Sequence, residues 1–406
     1  MADASSLDQT ALRVYLKGKV VDVTKFQRSH PGGTKALRVF KDRDATEQFN
    51  MYHSEAAHKK LNLMMKGAPD APIESAVSTT KLGVSFKQLD DKLREAGHYN
   101  PAYGDEIFKL FLTFAPGILG ARLLHTGMPT LASFLIAFSF YLAGWTAHDY
   151  LHHGVFKGSH TRLVKLNNLV GTAIGSYQGF STEWWRRRHN THHLVTNEEG
   201  NDPDIRTAPV FTFVKGNPKM AACLNAVQRQ QQLYYVPMMC ALDIYWRVES
   251  LQVLVAQPFR KVWHEWLTLA VHYVALFALF QGKLSYLLLT TLCRGFMTGI
   301  VVFATHYGED VLPGNHGLTL VEQTALTSRN ITGGYLVNVM TGYISLQTEH
   351  HLFPMIPTAN LEKVQPLVRS FFKEHGLIYR ESNLFECVKL NIKALALGEA
   401  PSLNEH

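Results

Sequence analysis

The sequence predicts a mainly α protein: a small α+β domain at the N-terminus, then a helical domain with four membrane-spanning helices and a cytosolic cap of polar helices. Three observations predict it. The first 105 residues contain no long apolar run. Beyond them lie four such runs in two pairs, each pair joined by only two or three residues. Long polar segments separate and follow the pairs, so the mean hydropathy of −0.06 is an average over unlike regions.

Residues 1–70 are expected to form the first unit. The opening MADASSLDQT has no basic stretch leading into an apolar core, so no secretory signal is expected. Val20, Val21 and Val23 in GKVVDVTKF partly alternate with polar residues, which predicts a short strand. HPGG, His30 to Gly33, marks a tight reversal. TKALRVF, DATEQF and HSEAAHKKL read as helical stretches after it. A linker, APDAPIESAVSTT at 68–80, lacks apolar periodicity, and with a polar helix and approach segment it makes 71–105 the connection between the two units.

The helical domain is expected over 106–380, with 381–406 as a C-terminal tail. Its apolar runs are 107–124, 128–147, 266–281 and 284–305, each near the roughly 20 residues that cross a hydrocarbon core. Lys109 and Arg122 sit near the ends of the first run, and His272 lies inside the third. Buried helices of a soluble bundle would also be apolar, but a tight hairpin repeated on both sides of a long polar insert favours a membrane. Two hairpins return the chain to one side. Residues 148–264 carry 13 Lys and Arg against 8 Asp and Glu, a net of +5, whereas the two opposite turns hold one basic residue, Lys283. That asymmetry places the N-terminus, the insert and the C-terminus in the cytosol. LVKLNNLVGTAIGSYQGF and LNAVQRQQQLYYVPMMC have apolar faces but are too short to span, so they are expected at the interface or over the helices.

Composition excludes several classes. With 46% hydrophobic and 18% charged residues the chain is not predominantly disordered. Four cysteines without a CxxC pair argue against a disulfide scaffold or a cysteine-only zinc site. The net charge of +7 comes with no nucleic-acid-binding pattern, so no nucleic acid partner is expected. Neither a Ser/His/Asp arrangement nor a Gly-rich phosphate loop supports hydrolysis or nucleotide binding.

Histidine stands out: 20 of 406 residues, against roughly 2–3% in an ordinary chain. Eight fall in three clusters just outside the apolar runs. HDYLHH holds His148, His152 and His153; HNTHH holds His189, His192 and His193; QTEHH holds Gln347, His350 and His351. Residues three or four apart share a helix face, so each cluster presents its imidazoles together. Eight or nine converging donors are too many for one tetrahedral zinc, and imidazole-rich ligation of that size suits two iron ions. Asp149, Glu349 and Glu183 are placed to accept the second ring N–H of such ligands.

These clusters resemble the three histidine boxes of membrane fatty acid desaturases, over about 107–380. The Gln heading the third box, with an N-terminal HPGG domain, resembles the front-end subgroup. The resemblance implies two non-haem irons held by His148, His152, His189, His192, His193, His350 and His351, with Gln347 a further candidate. His153 is an extra histidine beside the HDxxH of the first box. His306, in FATHYGED, resembles an additional ligand found upstream of the third box in acyl-coenzyme A desaturases. Residues 1–70 resemble cytochrome b5, which implies haem b held by His30 and His53. Here Gln27, Arg28 and Ser29 replace the acidic residues that often precede HPGG, and Tyr52 replaces the usual Gly before the second histidine.

The implied activity is oxygen-dependent desaturation of a polyunsaturated acyl-lipid or acyl-coenzyme A between an existing double bond and the carboxyl end. Electrons would come from a cytochrome b5 reductase through the haem domain, in the endoplasmic reticulum membrane. Bis-imidazole haem leaves no open position, which suits one-electron transfer. A linker of about a dozen residues spans about 20 Å as a coil, enough for the haem to reach the iron face. A sphingolipid long-chain-base desaturase, a lipid hydroxylase with the same metal site and a non-catalytic haem-binding membrane protein are the competing readings.

Overall fold

The computed structural model describes residues 11–53, 55–72, 80–157, 161–207, 210–211 and 226–397. The central part of the expected linker, 73–79, and the end of the tail, from 398, lie outside the described residues, as do the N-terminal ten residues and Cys223.

The N-terminal unit pairs β1 (Arg13–Leu16) with β2 (Lys19–Asp22) antiparallel, Val14 opposite Val21. The HPGG turn, with Gly33 at φ +84°, opens α1 (Gly33–Arg38), and α2 (Thr46–Tyr52) and α3 (Glu55–Met64) follow. Leu12, Val14, Val21, Val23, Phe40 and Leu61 make its core. The start of the expected linker is held to this unit: Lys19 bridges to Asp70, and Val20 N–H donates to the Pro69 carbonyl at 2.9 Å.

The remainder is mainly helical. After α4 (Lys81–Glu95) come α5 (Tyr103–Leu123) and α6 (Pro129–Leu151), an antiparallel hairpin. The polar insert folds as α7 (Thr161–Tyr177), α8 (Thr182–Leu194), α9 (Gln231–Met239) and α10 (Leu242–Val255). A second hairpin consists of α11 (Phe259–Leu279) and α12 (Leu284–Ala304). Among the described residues, three helices are long and apolar enough to cross a membrane: α6, α11 and α12. Helix α5 has the length but carries Asp105, Glu106, Lys109 and Arg122.

Beyond α12, helices α13 (Leu320–Thr327), α14 (Gly334–Met340), α15 (Gln347–Leu352) and α16 (Leu361–Glu374) form the cap with α4, around Phe86, Leu93, Phe353, Val364 and Phe372. Residues 381–397 are integrated rather than trailing. β4 (Glu381–Asn383) pairs parallel with β3 (Asn330–Thr332), and α17 (Leu384–Leu397) buries Cys387, Asn391 and Leu395.

Candidate metal centre

Each histidine cluster is set by a helix end. His148 closes the last turn of α6 and His152 caps it. Helix α8 starts on Ser181, whose hydroxyl accepts from Trp184 N–H, and it carries His189, His192 and His193. Short α15 carries Gln347, His350 and His351, all buried. His306 follows α12 by two residues, its Nδ1 2.8 Å from the Thr327 carbonyl.

The three clusters converge but regroup. His148, His152, His189, His193 and His350 form one group, their donor atoms within 4.8 Å of one another; His192, His306 and His351 form a second. In the first, His189 Nε2 lies 2.9 Å from His148 Nε2, 3.0 Å from His152 Nε2 and 2.8 Å from His193 Nε2. His350 Nε2 stands 3.1 Å from His193 Nε2. A ring nitrogen carries at most one proton, so His189 cannot satisfy three such neighbours by donating. Lone pairs aimed at one another repel, and a cation among them removes the conflict.

In the second group His306 Nε2 is 3.3 Å from His192 Nε2 and 2.8 Å from the Gln347 amide nitrogen. His351 Nδ1 meets the Thr196 hydroxyl at 3.1 Å, leaving its buried Nε2 without a partner. Gln347 Oε1 is likewise buried and unpartnered.

Burial pushes the imidazoles of His152, His189, His193 and His351 well below their ordinary value, and those of His306 and His350 to about 3. They stay neutral, the form that binds metal. His192 goes the other way: burial pushes it down, but Asp202 and Asp204 more than offset that.

The orienting partners are not those expected from the sequence. Asp202 meets His192 Nδ1 at 3.0 Å. Asp149 pairs instead with Lys109 at 2.5 Å and accepts from the Thr358 hydroxyl, Glu349 accepts from Asn330 and Tyr379, and Glu183 pairs with Arg187 near the surface. His153 is brought into neither group; its Nε2 contacts Asn168 Oδ1 at 3.2 Å from a backbone at φ +60°. The nearest sequence signal for Asp202 and Asp204 was the carboxylate pair in GNDPD, shortly after the second box.

A cavity adjoins the histidines. Tyr141, Trp145, Trp185 and Ile344 line it, together with His148, His189, His192, His306, Gln347 and the buried Arg294, which pairs with Asp243.

In the N-terminal unit the His30 and His53 rings face each other, centroids 6.0 Å apart. His30 Nδ1 is tied to the Gly33 carbonyl at 3.2 Å and His53 Nδ1 to the Phe49 carbonyl at 3.1 Å. Both Nδ1 atoms therefore carry the proton, and both Nε2 lone pairs are free for an iron between them. Burial lowers both pKa values, His53 to about 4.

Residues 126–383 match the sequence profile described as "Fatty acid desaturase", well over half of the chain. The chain belongs to the fatty acid desaturase family. Residues 4–69 of this desaturase match the "Cytochrome b5-like Heme/Steroid binding domain". It is 54% identical over 400 residues to an acyl-lipid 8-desaturase of Rebecca salina, covering 97% of this chain and 93% of that one. A Delta(8)-fatty-acid desaturase of Euglena gracilis is 30% identical, over 94% of each chain. A Delta(6)-fatty-acid desaturase of Caenorhabditis elegans is 26% identical, over 95% and 96%. The desaturase is thus an oxygen-dependent oxidoreductase whose cofactors are haem and non-haem iron, as its histidine clusters led one to expect.

Proposed function

We propose that this desaturase acts at the front end of a polyunsaturated acyl-lipid, inserting a double bond at carbon 8 between an existing one and the carboxyl group. The 54% identity to an acyl-lipid 8-desaturase supports that position. The observation that carries the reaction is the convergence of eight imidazoles from distant parts of the chain into two groups, four of them lining one cavity.

His148, His152, His189, His193 and His350 hold one iron; His192, His306 and His351 hold the second, beside Gln347. His30 and His53 hold haem b. When bound, the irons supply the oxygen chemistry that breaks unactivated C–H bonds, and the haem supplies electrons singly. The chain's own residues position and shield. Trp185 packs edge-on against His148, ring centroids 5.5 Å apart, and holds its ring in place. Tyr141, Trp145 and Ile344 bury an acyl chain and keep water from it.

The two units, 1–70 and 106–380, are joined through 71–105, with 381–406 after them. The protein sits in the endoplasmic reticulum membrane with four helices spanning, both termini and the histidines cytosolic, and a cytochrome b5 reductase feeds the haem. Support for α5 as the fourth span comes from its two faces: Lys109 and Glu106 pair inward with Asp149 and each other, whereas Ile107, Phe111, Ile118 and Leu119 are exposed.

A yeast host expressing the protein tests the reading. Fed acids whose first double bond is at carbon 11, it should form a new bond at carbon 8, and His350→Ala should abolish the product while leaving the haem spectrum intact. New bonds solely at carbon 5 or 6 would overturn the position; unchanged product from the variant would overturn the site.

A further inference from the structure

Tyr52 occupies the position before His53 where the cytochrome b5 pattern usually has glycine. Its side chain belongs to the other unit. With Met51, it leaves the N-terminal core and joins the apolar cluster of the cap, which includes Phe353 and Leu346. The Tyr52 ring meets His193 edge-on, centroids 5.9 Å apart and planes at 77°, and lies 6.5 Å from His152. Both belong to the five-histidine group. One peptide bond away, His53 stacks on Phe49 at 4.2 Å and faces His30. A single aromatic residue is thus covalently next to one redox site and in ring contact with the other.

No hydrogen bond holds the ring in place. The Tyr52 hydroxyl is buried without a hydrogen-bond partner, which costs free energy that phenylalanine would not. Nor is Tyr52 needed to tether the domain. Arg43 grips Glu198 with two bonds of 2.9 and 3.1 Å, Lys35 donates to the Asn201 carbonyl, Leu320 N–H donates to Glu47, and Val195 enters the N-terminal core.

We propose that Tyr52 is a positioning residue that couples the two redox sites, its ring being the bridge by which electrons leave the haem for the five-histidine group. The proposal rests on the assignment of haem to His30 and His53 and of iron to the histidine groups. Each transfer oxidises one ferrous haem to ferric and reduces one ferric non-haem iron to ferrous. Tyr52 itself is unchanged, with no bond made or broken and no proton moved. Two transfers supply one turnover. The ring is the required part, and the hydroxyl is dispensable.

The test is anaerobic flash reduction of the haem in the full-length, iron-loaded protein, following decay of the ferrous-haem absorbance. Tyr52→Gly, which removes the ring, should slow the decay about tenfold or more, the order expected when a positioning contact is lost. Its haem spectrum and iron content should match the parent. Tyr52→Phe should restore the decay to within about threefold of the parent. Equal decay in Tyr52→Gly and the parent would overturn the proposal, as would a Tyr52→Phe as slow as the glycine variant. If Tyr52→Gly loses haem or iron, Tyr52→Leu is read by the same criterion. A parent protein that purifies without non-haem iron removes the metal assignment, and the proposal with it, before any variant is compared.

Discussion

His192 differs from its neighbours by the company it keeps. Positions 189 and 193 are four apart on α8 and lie about 40° apart around the helix, whereas adjacent 192 and 193 are separated by about 100°. His189 and His193 therefore share the first group and His192 turns to the second; His350 and His351 divide the same way. Asp202 then holds His192 by Nδ1, and it also accepts from Asn197 N–H at 2.7 Å, so its carboxylate is fixed on both sides. Asp202→Asn should weaken iron retention at the second group by about 10–100-fold, the usual effect of losing an orienting partner. Non-haem iron measured after dialysis against a graded chelator checks this, with Glu183→Gln expected to match the parent because Glu183 pairs with Arg187. The box histidines were legible as residues. Their orienting partners were not, because Asp149 and Glu349, beside the boxes in sequence, are claimed by Lys109 and by Tyr379 and Asn330.

At the scale of elements, hydropathy located the two hairpins closely but missed what polar residues do inside them. Helix α11 begins at Phe259, seven residues before the apolar run starting at 266, because Glu265 is a structural part of it. Its buried carboxylate accepts from the Ser181 and Thr182 hydroxyls at the start of α8, so a helix of the second apolar hairpin holds the N-terminus of the helix bearing the second box. The α5–α6 contact shows the reverse case, where small residues matter. A Cβ at Gly120 would stand 2.8 Å from Ile136 Cγ1 and 2.9 Å from the Ala132 carbonyl oxygen. Close backbone approach of this kind requires glycine. Gly120→Val should push α5 off α6 and destabilise the protein by about 1–3 kcal/mol, as overpacking does. The check is a lowered Tm in detergent; an unchanged Tm would show that the contact is loose.

For the whole molecule, the docking of the haem unit is the main result. Glu198, buried, would be pushed up by desolvation, but the His316 ring nitrogen 3.4 Å away and the hydrogen bonds from Arg43 hold it at about 2, so it remains charged for Arg43. Glu47 behaves oppositely. Burial, reinforced by Asp44 and Glu322, pushes it up to about 7 despite the bond from Leu320 N–H. A carboxyl whose pKa is raised on folding favours the folded, docked state most below its unfolded value of about 4.5 and loses that contribution as pH rises through about 7. Tm should therefore fall between about pH 5 and pH 8, and Glu47→Gln, which mimics the protonated acid, should flatten that part of the profile. A parent and variant with parallel profiles would show that Glu47 does not govern it.

The sequence by itself determined the helical runs, the two polar-flanked hairpins and the places of the histidine clusters along the chain. These follow from local periodicity and from residue chemistry, which a linear pattern records. Only the tertiary structure decided which histidines of different boxes meet, that Asp202 serves His192, and that Tyr52 of the haem unit lies against His193. Those contacts join residues from about ten to about two hundred positions apart, and long-range packing selects them among many arrangements that local patterns allow equally.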